Sequence, residues 1–226
     1  MVSYTGEVRP GGPADVRELA DVRITKVAVD EKMSNNCYLL RCERTGDQVL
    51  IDAAAEADVL LGLIGDGGLR TVVTTHRHWD HHRALREVVD ATGAEVVAGA
   101  PDADAITEQT GVEVQRRLEH GDTVPLGERS LEVIAIAGHT PGSIALLLDD
   151  TEAGGHPHLF TGDSLFPGGV GNTFGDADAF VQLINDVEQR IFDRLPDDTW
   201  FYPGHGNDST LGAERPHVAE WRARGW

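Results

Sequence analysis

TTHRHWDHH, residues Thr74 to His82, packs four imidazoles and a carboxylate into the seven positions from His76 to His82. It follows the apolar run Thr71-Val72-Val73 and precedes a helical pattern in Leu85, Val88 and Val89, so it sits where a strand leaves a sheet and a helix begins. Side chains two apart on an extended chain point the same way, so His76, His78 and Asp80 are expected to converge, with His81 brought alongside by the turn. Imidazole nitrogen and carboxylate oxygen suit zinc, iron or manganese. With no thiolate in the cluster, a purely structural cysteine-type zinc site is excluded.

Three further segments place one candidate ligand just after an apolar strand. His139 lies in AGHTPGS, Asp163 in FTGDSLF and His205 in YPGHG. A strand end held by its sheet presents a side chain at a fixed point, and the neighbouring Gly138, Gly162 and Gly204 allow a close approach that a Cβ would obstruct. Thr140 to Ser143 read as a turn holding His139, with Pro and Gly at its second and third positions.

Around these motifs the patterning predicts strands at Val22–Val29, Asn36–Cys42, Gln48–Asp52, Thr71–Thr75, Glu95–Ala98, Leu131–Ala137, Ile144–Leu148, His158–Thr161 and Thr199–Tyr202. Helices are predicted at Ala55–Ile64, His81–Thr92, Ala103–Thr110, Asp178–Phe192 and Ala213–Arg224. The first strands arrive as a run and later ones alternate with helices, which suits two packed sheets covered by helices. No linker divides the chain, so residues 1–226 are expected to form one domain, with 1–20 as a mobile lead-in.

Nineteen Lys+Arg against 38 Asp+Glu give a net charge of −19, and with 40% hydrophobic residues the chain can bury an ordinary core. Such a charge repels a phosphate backbone, so nucleic acid is not the expected partner. No apolar run reaches the roughly 18 residues that a membrane span needs. The first twenty residues show no export signal, and a cytoplasmic address is expected. Cys37 and Cys42, five apart, should face opposite sides of one strand rather than pair. The sequence leaves the oligomeric state open.

HRHWDHH together with AGHTPGS, TGDSLF and PGHG resembles the metallo-β-lactamase superfamily, with spacing most similar to its glyoxalase II-like hydrolases. The resemblance implies an α+β fold, a four-layer αββα sandwich with metals at one edge. It implies that His76, His78 and His139 hold a first divalent cation, that Asp80, His81 and His205 hold a second, and that Asp163 bridges them. Zinc is the expected metal, with iron or manganese as alternatives. Asp52, in VLIDAA, would orient a ligand from beneath, His82 would lie behind the ligands or start the helix, and Trp79 would wedge the loop against the domain. The implied activity is attack by a metal-activated hydroxide on a thioester, ester-like or lactone carbonyl of a small molecule, with Asp80 orienting the nucleophile or taking its proton. Two other readings stay open: a persulfide dioxygenase with one iron on His76, His78 and Asp163, and a metal-binding sensor without turnover. Glyoxalase II proper carries a long C-terminal extension that binds glutathione, whereas 21 residues follow His205 here, and Asn172 stands where an arginine is often found. The substrate is therefore not carried over.

Overall fold

The computed structural model describes residues 4–225. Its first hairpin joins β2 (Val22–Val29) to β3 (Asn35–Cys42), antiparallel from Val22 opposite Cys42 to Val29 opposite Asn35. β1 (Asp15–Glu18) adds to the outer edge of β2, and β4 (Gln48–Ile51) lies antiparallel to β3. From there the chain crosses over helices, and β5 (Thr71–Thr74), β6 (Glu95–Gly99) and β7 (Arg116–Leu118) add parallel strands to make seven. The crossovers carry α1 (Ala57–Ile64), α2 (Leu85–Thr92) and α3 (Ala103–Thr110). All residues of β4 and β5 are buried, as expected for strands covered on both faces.

A second sheet holds β8 (Thr123–Leu126), β9 (Arg129–Ala135), β10 (Ile144–Leu148), β11 (His158–Gly162), β14 (Trp200–Pro203) and β15 (Ser209–Thr210). β12 (Leu165–Phe166) and β13 (Gly169–Val170) form a small hairpin between them. α4 (Ala177–Val187), α5 (Leu211–Glu214) and α6 (Val218–Arg224) complete the chain.

The side-chain alternation of the strands divides the core into three layers. Val72 and Val96 face α1 to α3, beside Leu60, Leu85 and Ile106. Their neighbours Val73 and Val97 face the other sheet, meeting Val133, Leu146 and Phe160. On that sheet's far side Ile134 and Leu147 pack against Phe180, Leu183 and Trp221. Each such fully buried side chain contributes about 1.5–3 kcal/mol relative to exposure. The result is the expected αββα sandwich. Cys37 faces the outer layer and Cys42 the inner one, and both thiols are free.

Several predicted boundaries are corrected. Fifteen strands are present among the described residues, not nine. The additional β1, β7, β8, β12, β13 and β15 are two to four residues long, too short to show a period, and β8 carries Pro125. Of the expected lead-in, residues 1–3 lie outside the described residues, and Asp15–Glu18 is instead a paired strand. The helix expected over His81–Thr92 starts at Leu85, because the amides of Arg83 and Ala84 bond to the carbonyls of Ala54 and Ala53 rather than to a preceding turn. A 3-10 turn at Trp79–His81 precedes it. The helix expected over Asp178–Phe192 is α4 followed by a π turn, Glu188–Phe192. That over Ala213–Arg224 breaks at Arg215–His217, where Pro216 has no N–H to donate.

The topology fixes where chemistry can sit. Parallel β4, β5 and β6, and parallel β11 and β14, point their C-terminal ends to one edge of the sandwich. Asp52, Thr75, Asp163 and His205 all follow those ends.

Candidate metal centre

Three groups of donors gather at that edge: His76, His78 and His139; Asp80, His81 and His205; and His76, His81 and Asp163, each with ligand atoms within 4.8 Å of one another. In the first group His76 Nε2 stands 3.1 Å from His78 Nδ1, which stands 2.9 Å from His139 Nε2. In the second, His81 Nε2 is 3.2 Å from His205 Nε2, and Asp80 Oδ2 is 3.5 and 3.4 Å from these two nitrogens. Asp163 lies between the groups, with Oδ2 3.8 Å from His139 Nε2 and 3.6 Å from His205 Nε2, and Oδ1 3.4 Å from His81 Nε2. All seven sequence-predicted ligands thus come together. His76 and His78 lie on the bend that follows β5 rather than on the strand itself, and Asp80 arrives on the 3-10 turn, so the convergence expected from strand alternation comes instead from the turning chain.

Close backbone approach requires glycine at two of these positions. Gly162, at φ 49°, follows a register shift in β11, and a Cβ there would lie 2.9 Å from Thr75. A Cβ on Gly204 would collide with the carboxylate of Asp163.

The outward nitrogens decide the tautomers. His139 Nδ1 donates to the Asn172 carbonyl at 2.8 Å, His205 Nδ1 to the Met33 carbonyl at 3.0 Å, and His81 Nδ1 to Asp52 Oδ2 at 2.8 Å. Thr75 Oγ1 gives its proton to Asp52, so it accepts from His76 Nδ1 at 3.0 Å. Each of these four rings, when neutral, therefore turns its lone pair inward. Asp52 takes the orienting place that the sequence suggested, at a left-handed φ of 59°. His82 lies behind the ligands, with Nε2 3.2 Å from the Arg77 carbonyl.

Burial, reinforced by the imidazoles of His81, His139 and His78, holds the pKa of His76 well below its usual value. Burial also lowers His78 and His139, despite the nearby Asp163. His81 goes the other way: burial opposes its charged form, but the carboxylates of Asp163 and Asp52 outweigh it and hold the pKa well above normal. For Asp80 burial favours the neutral acid, yet donors from His205 and Asn35 and the charge of His81 keep the carboxyl far below the usual range. Positive charge is thus drawn to the Asp80–His81–His205 side.

These residues fit a pair of divalent cations. The donors are imidazoles and carboxylates in two groups of three, four of the rings turn inward the nitrogen that carries the lone pair in the neutral form, and the buried Asp163 Oδ1 has no hydrogen-bond partner.

Sequence reasoning missed residues that act across long separations. Asp102, fully buried after β6, accepts from the Arg77 amide (3.0 Å), the Thr140 hydroxyl (2.5 Å) and the Gly142 amide (3.0 Å), tying the two ligand loops of the first group together. Asn35 donates to Asp80 Oδ2 at 2.9 Å. Nothing in the local pattern marks either residue. Trp79 is 52% exposed under the Arg83 guanidinium, so it is not the expected wedge. Phe174, 70% exposed, presents its ring edge-on to His78. A cleft of about 440 Å³ opens beside His139, lined by Arg77, Gly138, Thr140, Thr173 and Gln182 among others, a size that suits a small molecule. No helix among the described residues is long and apolar enough to cross a membrane.

A profile of the metallo-beta-lactamase superfamily matches residues 31–205. A hydroxyacylglutathione hydrolase of Polaromonas sp. is 34% identical over 170 residues, 74% of this chain and 60% of that protein. A second, from Rhodospirillum rubrum, is covered to 62%, so the chain spans about three fifths of the length of these curated relatives. Among solved structures, ETHE1 from Myxococcus xanthus superposes with a TM-score of 0.74 at 30% identity, over 88% of this chain and 84% of that one. TTHA1623 in a di-iron-bound form superposes with a TM-score of 0.65 at 28% identity, over 84% and 96%.

Proposed function

The chain belongs to the metallo-beta-lactamase superfamily, and on that premise we propose that it is a dinuclear metallohydrolase acting on a thioester, ester or lactone carbonyl of a small molecule. His76, His78 and His139 would hold one divalent cation, Asp80, His81 and His205 the other, with Asp163 between them. The single observation that carries this reading is the hydrogen bonding on the outer side of the rings, which makes the inward nitrogens of His76, His81, His139 and His205 the ones that carry the ligating lone pair in the neutral rings. The relative in a di-iron-bound form supports two ions rather than one, and the hydroxyacylglutathione hydrolases support an acyl substrate.

Bound there, the cations would supply Lewis-acid chemistry, lowering the pKa of a water toward about 7 and polarising a carbonyl. The protein's own residues do the positioning. Asp52 and Thr75 fix His81 and His76 in one tautomer, so neither ring has to turn during the reaction. Asp80, steadied by Asn35, presents a carboxylate that orients an attacking water and can accept its proton. The cleft beside His139 takes the body of the substrate.

Elemental analysis of purified protein, paired with hydrolysis of a thioester, lactone and β-lactam panel, tests this. Two metal ions per chain with turnover on an acyl substrate are expected. One iron with oxygen uptake on a persulfide would replace this reading with the dioxygenase, and bound metal without turnover on any of these would leave a sensor module.

A further inference from the structure

Lys26, on β2, is fully buried, and its ammonium makes three bonds, to the carbonyls of Gly6 (2.7 Å) and Gly206 (2.9 Å) and to Asp208 Oδ1 (2.6 Å). That uses every N–H it has. Asp208, its side chain equally buried, uses its second oxygen to accept from the Tyr4 hydroxyl at 2.6 Å and from Trp200 Nε1 at 3.0 Å. A buried ion pair gains little or no stability over apolar groups of the same shape, so stability alone does not explain this one.

What the pair grips is the segment that carries His205. Gly206 and Asp208 follow that histidine directly. On its other side the Pro203 carbonyl accepts from the Tyr38 hydroxyl (2.6 Å) and Asn36 Nδ2 (3.0 Å), and the Gly204 carbonyl accepts from the Asn36 amide (2.7 Å). His205 is therefore suspended between two anchors, one on β3 and one where Lys26 and Asp208 grip the loop beyond it, with Asn36 Nδ2 adding a bond to the Gly206 carbonyl at 2.9 Å. Its side chain is 25% exposed, whereas His76 and His81 are buried.

We propose that Lys26 and Asp208 are positioning residues for His205. By clamping the loop beyond it they set where Nε2 stands relative to Asp80 and His81, and so set the affinity of the second cation site relative to the first. This rests on the dinuclear reading above.

The test uses the double variant Lys26→Met/Asp208→Asn, which removes both charges together and keeps an oxygen for Tyr4 and Trp200. Metal-stripped wild type and variant are titrated with cobalt(II), followed by visible absorption, and amide hydrogen exchange is measured on both metal-free proteins. In the variant the second cobalt should bind at least about tenfold more weakly while the first is little changed. Exchange across residues 203–208 should quicken while that of residues 139–144 does not. Two unchanged affinities, two affinities falling together, or unchanged exchange at 203–208 would each overturn the proposal. If wild type takes up only one cobalt, the dinuclear reading fails, and the exchange result still decides whether the pair clamps the loop. Should the double variant not fold, Tyr4→Phe, which leaves both charges paired and removes only the hydroxyl that holds Asp208 Oδ2, carries the same measurements with a smaller expected change.

Discussion

The two donor groups are built in different ways. His76, His78 and His139 leave strand ends that are cross-tied at once, by the Ile144 amide on the Thr75 carbonyl (3.0 Å) and by the buried carboxylate of Asp102, which grips both loops. Asp80, His81 and His205 are assembled from a 3-10 turn and a loop whose anchors lie on β2, β3 and the segment around Gly6. Asp102 steadies the first group across 25 to 40 positions of sequence, whereas the second depends on contacts spanning up to 182. A site made this way should hold its first cation firmly and its second conditionally.

The sharpest way to break the comparison is His76→Ala, since His76 belongs to the first group and also faces His81 and Asp163. Hydrolysis should fall by about 10³-fold or more, the loss of several kcal/mol of transition-state stabilisation. The unfolding midpoint of the metal-free protein should move little. Wild-type rates would remove His76 from the centre.

Asp102→Ala separates the groups more finely. It strips partners from two amides and a buried hydroxyl, costing about 1–3 kcal/mol in stability. First-cation affinity should drop about 10–100-fold, as for other residues that orient ligands, with the second site spared. Isothermal titration would show this, and equal loss at both sites would erase the distinction drawn here.

A third measurement separates the acid sensitivity of the fold from that of the donors. His158, at the start of β11, is buried with Nδ1 2.8 Å from the Tyr202 hydroxyl, and burial, aided by His156 and Arg17, pushes its pKa down to about 3. Folded protein keeps it neutral where the unfolded chain takes a proton. Its contribution is thus complete above about pH 6.5 and declines as pH falls toward 3, by up to about 1.4 kcal/mol per pH unit. His158→Asn keeps the hydrogen bond without titrating, so its urea midpoint should fall less between pH 7 and 5. An unchanged slope would place the acid sensitivity elsewhere.

The smallest effect is expected at Asp176, whose carboxylate caps α4 by accepting from the Asp178 and Ala179 amides, both at 3.0 Å. Asp176→Ala should cost about 1 kcal/mol by thermal melting. Because α4 backs the Gly138 turn, any effect on metal should appear at the first group alone.

What the sequence made legible was whatever is local. His76, His78, Asp80 and His81 announce themselves by spacing, and His139, Asp163 and His205 by standing after apolar strands, each directly behind a glycine. The central strands were equally plain, because β2, β3 and β9 are long enough to show a period. Asp102, Asn35 and Lys26 were invisible for the opposite reason: each looks like an ordinary polar residue until partners 20 to 182 positions away fold against it. β7, with two arginines in three residues, offers a single apolar residue, Leu118, and so shows no hydrophobic pattern. Trp79 misled because an aromatic between ligands suggests packing, whereas the 3-10 turn directs it to solvent.

The seam between the sheets has a consequence for how the molecule comes to exist. One supply of donors hangs from the seven-stranded sheet and the other from the six-stranded sheet, so neither half completes a three-donor group alone. An unfolded chain retains only the short His76-to-His82 stretch as a weak chelator. Any ion that prefers the assembled edge therefore pulls the folding equilibrium toward the native state, by about 4 kcal/mol at a thousandfold excess over its dissociation constant. Thermal resistance would then track the availability of metal, and the protein would be most fragile where that metal is scarce.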